Sequence, residues 1–314
     1  MEAAKNNSSL AQAKVSLRRF IEALKVFAGG RDDFVEIAVS ALFSEGHVLI
    51  EDVPGVGKTT FIKALAKLCG LGSSRIQCTS DLLPSDVIGV QVYDESERQF
   101  RFHKGPIFTD ILLADELNRA SPRTQSALLE AMGEGHVTVD RATMPLPRPF
   151  IVFAAQNPKD SVGTYALPES QLDRFAVRLH MGYPDADYEL QLFRDAKKDP
   201  LASLPSDVMS REQILLLMEH LRTIHISASV ALYVKRVIDR SRATEGILTG
   251  VSTRGGLTWM RLAAGFAIIQ GRDYVIPDDL QKVGVAALAH RIVTRLSGGG
   301  EDAIKTLLAT SPVV

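Results

Sequence analysis

The sequence predicts an α/β protein: a parallel sheet of five strands flanked by helices, two inserted β-hairpins, and a C-terminal part made of helices. Three observations lead there. A short apolar strand, His47-Val48-Leu49-Ile50-Glu51, runs directly into a glycine loop and a helical segment, which is how a parallel α/β unit opens. Ile111–Ala114 and Phe150–Ala155 are continuous apolar runs, as strands covered on both faces must be. Beyond Gly182-Tyr183-Pro184 only helical periodicity follows.

Taken in order, Leu10–Phe27 places Val15, Leu17, Phe20, Ile21, Leu24 and Phe27 on one helical face, and Gly29-Gly30 ends that helix. Asp32-Asp33 opens a second helix that runs to Phe43. After the first strand and its loop, a helix continues to Leu68. Arg75–Thr79 is the next strand. Ile88–His103 alternates Val, Tyr and Phe with polar residues around Asp94-Glu95-Ser96, so it reads as a hairpin. A helix is expected over Pro122–Met132. A second hairpin is expected over His136–Leu146, turning near Asp140-Arg141. Phe175–Leu179 closes the sheet as an edge strand. Helices follow over Ala186–Ala196, Arg211–Leu221, Ser227–Ala243, Arg254–Ile269 and Pro277–Leu288. The expected division is an α/β domain over residues 1–183 and a helical domain over 184–314.

The 314 residues carry 36 basic and 37 acidic side chains, and neither part is one-sided in charge. Non-specific nucleic-acid binding rests on surplus Lys and Arg, so the balance speaks against it. At 46% hydrophobic and 23% charged, the chain has the composition of a globular protein and not of a disordered one. No apolar run approaches the roughly 18 residues of a membrane span. MEAAKNNSSLAQAK has no apolar signal core, and a cytoplasmic location is expected. Cys69 and Cys78 are too few and too close for a disulfide framework or a zinc site, and are expected as buried small hydrophobes.

The chemistry concentrates in three strand ends. Asp52-Val53-Pro54-Gly55-Val56-Gly57-Lys58-Thr59 matches the phosphate-loop pattern except that Asp52 replaces its first glycine. Gly55 and Gly57 let the backbone curl so that successive N–H groups meet phosphate oxygens, and the next helix adds its positive N-terminus. Val53, Pro54, Gly55, Val56, Gly57, Lys58, Thr59 and Thr60 are therefore the expected nucleotide contacts. Lys58 would reach the β- and γ-phosphates and Thr59 would hold Mg²⁺. Asp52 would repel phosphate, so it is expected to point away. Ile111-Leu112-Leu113-Ala114 ends in Asp115-Glu116, two carboxylates at the sheet edge where ligands bind. Asp115 can hold the hydrated metal, and Glu116 can polarise a water for attack on the γ-phosphate. Asn157, at the end of the Phe150–Ala155 strand, can reach the same phosphate. Arg254 opens a helix, where a cation opposes the helix dipole and so wants an outside anion.

These segments resemble the AAA+ ATPases, and among them the MoxR family. The resemblance runs through EDVPGVGKTT, RIQCTSDLLPSDVIG, GPIFTDILLADELNRASPRTQSALLEAM, LPESQLDRF and GRDYVIPDDL, nearly the whole chain. It implies Mg²⁺-dependent ATP hydrolysis. It also implies a homo-oligomeric ring, commonly a hexamer, and chaperone action on a protein client, often with a partner carrying a von Willebrand factor A domain. By the same resemblance Asn157 is the sensor-1 residue, Arg174 the arginine finger acting on a neighbouring subunit, and Arg254 the sensor-2 residue of a helical lid. Three other readings compete: a nucleic-acid motor, a nucleotide switch without hydrolysis, and a small-molecule kinase. The charge balance opposes the first. Glu116, Asn157 and Arg174 oppose the second, and the lid with Arg254 opposes the third.

Overall fold

The computed structural model describes residues 2–139, 142–158, 163–202, 204–297 and 299–313. Two helices lead in, α1 (Glu2–Lys25) and α2 (Asp32–Phe43). The α/β part begins with β1 (His47–Glu51), α3 (Lys58–Leu68), β2 (Ser73–Gln77) and α4 (Pro84–Ile88). The hairpin β3 (Gly89–Asp94) and β4 (Gln99–Lys104) follows, then β5 (Ile111–Asp115) and α5 (Pro122–Glu134). A second hairpin, β6 (His136–Val139) and β7 (Ala142–Pro145), precedes β8 (Ile151–Gln156), α6 (Glu169–Leu172) and β9 (Phe175–Leu179). The C-terminal part comprises α7 (Ala186–Arg194), α8 (Arg211–Leu221), α9 (Ala228–Ala243), β10 (Ile247–Thr249), α10 (Thr253–Ile269), α11 (Pro277–Leu288), β11 (Val293–Thr294) and α12 (Gly299–Thr310).

The main sheet has five strands in the order β2-β5-β8-β1-β9, all parallel. β1 and β5 are each buried through their first four residues and end in a half-buried acid, Glu51 and Asp115. This is the pattern of a strand covered by helices on both faces, with its polar tip at the C-terminal edge. Because every strand points the same way, all five C-termini share one edge and all five N-termini the other.

Both hairpins are present, β3–β4 and β6–β7. The predicted turn at Asp140-Arg141 lies outside the described residues. The C-terminal part is helical, with two features that the sequence reading does not name. The ribbon β10–β11 pairs three residues with two, too few to show a period. In α12, Ala303, Ile304, Leu307 and Leu308 form a buried stripe.

The junction at Gly182-Tyr183-Pro184 marks a change of secondary structure but not of core. α10 lies directly on α2: Ser40 Oγ donates to the Leu262 carbonyl at 2.6 Å, and Gly265 leaves no room for a Cβ against Ser40. One buried cluster therefore runs from Phe20, Phe43 and Val48 to Trp259 and Leu288. Cys69 and Cys78 are free and buried, and burial pushes the Cys78 thiol up to about 12.

His47 ties the N-terminal edge together. Its Nδ1 accepts from the Val152 N–H of β8 at 3.1 Å, and its Nε2–H donates to the Met132 carbonyl of α5 at 2.9 Å. Full burial holds its pKa down at about 4, against 6.5 for a free imidazole. The unfolded chain therefore binds this proton at a higher pH than the folded one. The stability involved is present above pH 6.5 and is lost as pH falls from there toward 4. About 2 kcal/mol should disappear between pH 7 and pH 5 from this residue. Denaturant unfolding at the two pH values, compared between wild type and His47→Gln, reads that slope. The variant should lose part of the pH dependence, whereas an unchanged slope would rule out His47 as its source.

Candidate active site

The phosphate loop sits where β1 ends. Gly55 and Gly57 adopt φ of +86° and +96°, and nothing lies within 4 Å of where a Cβ would project. Both glycines are needed for the left-handed turn, and their faces stay bare toward the cavity. α3 starts immediately, with Gly57 as its cap, so its free N–H groups point the same way. Lys58 Nζ lies 3.3 Å from the carbonyls of Asp52 and Val53, arched over the loop.

Asp52 points away from the loop, as expected from its charge. Its carboxylate accepts the N–H groups of Met181 and Gly182, just past β9. Arg31, ahead of α2, donates to the carbonyls of the same two residues. The residue that departs from the glycine pattern is thus a latch joining the ends of two adjacent strands. A wide cavity of about 610 Å³ opens beside it, lined by Gly30, Arg31, Asp32, Phe34, Leu179 and His180.

The cavity over the loop holds about 410 Å³. Pro54, Gly55, Gly57, Lys58, Thr59 and Thr60 line it, together with Asp115 at the end of β5, Glu116 just after it and Asn157 just after β8. The side chains of Val53 and Val56, two loop residues whose backbone N–H groups are the expected contacts, do not line it. Val56 is buried and Val53 packs on the core. Apolar side chains so close to the core turn inward and leave the cavity to the glycines and to the polar residues of the loop.

Asp115 is 17% exposed, and its Oδ2 lies 2.7 Å from Arg75 Nη2 on β2. Arg75 also donates to Gln77 Oε1 at 2.7 Å, and both residues line the cavity. By sequence Arg75 is only the expected start of a strand, which in the structure begins two residues earlier at Ser73. Its signal is the i, i+2 spacing with Gln77, which puts both on one face of β2 at the ligand-binding edge. Glu116 has φ +54°, a left-handed conformation that costs an L residue about 1–2 kcal/mol. The turn ends the strand and presents the carboxylate to the cavity, 3.2 Å from Arg119 Nε. On β8, Gln156 Nε2 donates to Glu51 Oε1 at 2.6 Å, fixing the strand end that carries Asn157.

The Thr59 hydroxyl and the Asp115 carboxylate line the same cavity and offer oxygen donors only. Among the described residues no group of three His, Cys, Asp or Glu could hold a metal. This donor set suits Mg²⁺, which takes one or two protein oxygens and completes its shell with substrate phosphates and water.

Arg174 and Arg254 are elsewhere. They line a separate cavity of about 190 Å³ with His47, Gly133, Asp173 and Arg291. Arg174 Nη1 donates to the Leu129 carbonyl at 2.7 Å, and its guanidinium fills the space that a Cβ on Gly133 would take. Arg291 is 2% exposed, and its Nε is 2.8 Å from Asp173 Oδ1. It also donates to the carbonyls of Asp173 and Phe175. Burial, only partly offset by Asp173, lowers its pKa to about 10. His47 and Phe175 open β1 and β9, so this cavity lies at the N-terminal edge of the sheet, opposite the phosphate loop. His47 and Glu51 alone, the two ends of β1, are about 13 Å apart at 3.3 Å per residue.

Residues 47–177 match the family model described as ATPase family associated with various cellular activities (AAA), and residues 239–306 match the AAA lid domain. The protein YeaC of Bacillus subtilis is 44% identical over 88% of this chain and 87% of its own length. Chaperone MoxR1 of Mycobacterium tuberculosis is 38% identical over 88% of this chain and 76% of its own. A crystal structure of a candidate ATPase from Cytophaga hutchinsonii superposes with a TM-score of 0.91 at 32% identity, covering 100% of this chain and 99% of that one. With the phosphate loop, the acid pair at the end of β5 and the helical lid in place, the chain belongs to the MoxR family of AAA+ ATPases.

Proposed function

We propose that this ATPase hydrolyses Mg²⁺-bound ATP in sites shared between neighbouring copies of the chain, and that the resulting motion remodels a protein client. The observation that carries this reading is the split of the machinery between the two edges of one parallel sheet. Lys58, Thr59, Asp115, Glu116 and Asn157 face one cavity at the C-terminal edge, while Arg174 and Arg254 face another at the N-terminal edge. A guanidinium on the far edge cannot touch the phosphate held by its own loop. It can touch one held by the next subunit.

In this reading the N–H groups of the loop and of α3 hold the triphosphate, and Lys58 neutralises its β- and γ-oxygens. Thr59 and Asp115 hold Mg²⁺, which when bound offsets phosphate charge. Glu116 takes a proton from the attacking water, and Asn157 orients that water or the γ-phosphate. Arg174 and Arg254 of the neighbour stabilise the charge that builds on the transferring phosphoryl group. The functional division follows the sequence boundary, with residues 1–183 carrying the nucleotide and 184–314 supplying Arg254 as the lid. A ring of six copies, a cytoplasmic setting and a partner with a von Willebrand factor A domain complete the proposal on the strength of the family resemblance. Among the described residues no helix is long and apolar enough to cross a membrane.

Lys58→Ala should abolish or strongly weaken ATP binding in a calorimetric titration, and unchanged affinity would remove the loop from the site. Glu116→Gln keeps the side chain's shape and loses its basicity. It should bind ATP near the wild-type level with turnover stopped, and wild-type turnover would show that another group activates the water. Arg174→Ala should lower hydrolysis by a factor within about 10³–10⁵, the range for arginine fingers. Mixing it with Lys58→Ala should restore part of the activity, because some interfaces then join an intact loop to an intact finger. Wild-type specific activity should also rise with protein concentration. Concentration-independent turnover by a demonstrated monomer would contradict the shared site.

A further inference from the structure

The cavity at the N-terminal edge contains a fourth arginine. α10 presents Arg254, Thr258 and Arg261 at i, i+4 and i+7, one stripe along the helix, and all three line the same space as Arg174 and Arg291. Four guanidinium groups therefore surround about 190 Å³. The acids beside them are already engaged, Glu45 by Arg148 and Asp173 by Arg291. Among the described residues, Arg174, Arg254 and Arg261 have no carboxylate partner. Arg291 is spent on Asp173 and on backbone carbonyls, which makes it the buried prop of the Asp173-Arg174 segment. Like charges gathered in one concavity repel and focus a positive field outward. An arginine alone on a helix is ordinarily just solvated. Three without a carboxylate partner, facing one cavity with a braced fourth beneath, make that cavity strongly positive.

We propose that Arg261 is a third anion-binding arginine of this surface. It reaches the phosphates of the nucleotide held by the neighbouring copy, alongside Arg174 and Arg254. The proposal rests on the shared-site reading above and extends it to a residue two turns further along the lid helix. The i+7 spacing places Arg261 about 10 Å along the helix axis from Arg254, at 1.5 Å per residue. The two can therefore grip different parts of one extended triphosphate.

Arg261 is exposed, so its truncation removes no core contact, and thermal unfolding of Arg261→Ala should match wild type. The probe is adenylyl imidodiphosphate, a non-hydrolysable ATP analogue, titrated into assembled protein, with ADP as the comparison. Arg261→Ala should bind the analogue about 10- to 100-fold more weakly, the range for losing a hydrogen bond to a charged group. ADP binding should change less, and Arg261→Lys should recover part of the loss. Adding excess Lys58→Ala protein, which carries an intact Arg261 but does not itself hold nucleotide, should return the affinity of the Arg261→Ala subunits toward wild type. Wild-type affinity in the variant alone would overturn the proposal, as would a loss that persists in the mixture. So would a defect in subunit association that is equal with and without nucleotide, since Arg261 would then be meeting a protein carboxylate. Arg174→Ala in the same mixture, read by its rate of ATP hydrolysis, separates the two levels. Recovery for Arg174 but not for Arg261 sinks only the Arg261 assignment, whereas recovery for neither sinks the shared site with it.

Discussion

A parallel sheet has two unlike edges, and almost everything in this molecule follows from that constraint. Strand β1 is buried along four of its five residues and cannot bend to bring its ends together. One end releases the phosphate loop, and the other begins at His47, which is held by β8 and α5. β9 lies parallel to it, with Phe175 opposite His47, and so carries Arg174 to the edge far from the loop. Hydrolysis that needs both a loop and a finger then requires two copies. In the proposed shared-site reading, oligomerisation is a condition for chemistry and not merely a way of gaining stability.

The same sheet links the lid to the phosphate loop. Asp52 clasps the chain just after β9, and Arg31 clasps the same two residues from the other side. Arg291, from the segment after α11, is buried against Asp173 and the first residue of β9. β9 is therefore held at its C-terminal end by the phosphate loop and at its N-terminal end by the lid. A shift of the loop's backbone on one edge has a short and rigid path to the arginine cavity on the other. The continuous buried cluster shared by α2 and α10 adds a second mechanical link.

The sheet and the nucleotide cavity were largely readable from the sequence because buried parallel strands write themselves as unbroken apolar runs. β1, β5 and β8 each end abruptly in, or just before, residues that line the cavity over the phosphate loop. The rest was hidden for physical reasons. β2 reads Ser-Ser-Arg-Ile-Gln, a mostly polar edge strand, so Arg75 and Gln77 carried no apolar pattern to mark them. β10 and β11 are too short for any period. The arginine cavity draws on residues near positions 133, 174, 254 and 291, and no local pattern joins them. The role of Asp52 depends on backbone groups some 130 residues downstream, although its charge alone predicted that it would turn away.

The most direct measurement is an electron cryomicroscopy map of the Glu116→Gln protein assembled with ATP and Mg²⁺. The shared-site account predicts that each triphosphate held by one copy's Lys58 is met by the Arg174 and Arg254 guanidinium groups of the adjacent copy, at charge-assisted hydrogen-bond distances of about 2.7–2.9 Å. A map in which those arginines contact the nucleotide of their own subunit, or lie far from every nucleotide in the assembly, would contradict it.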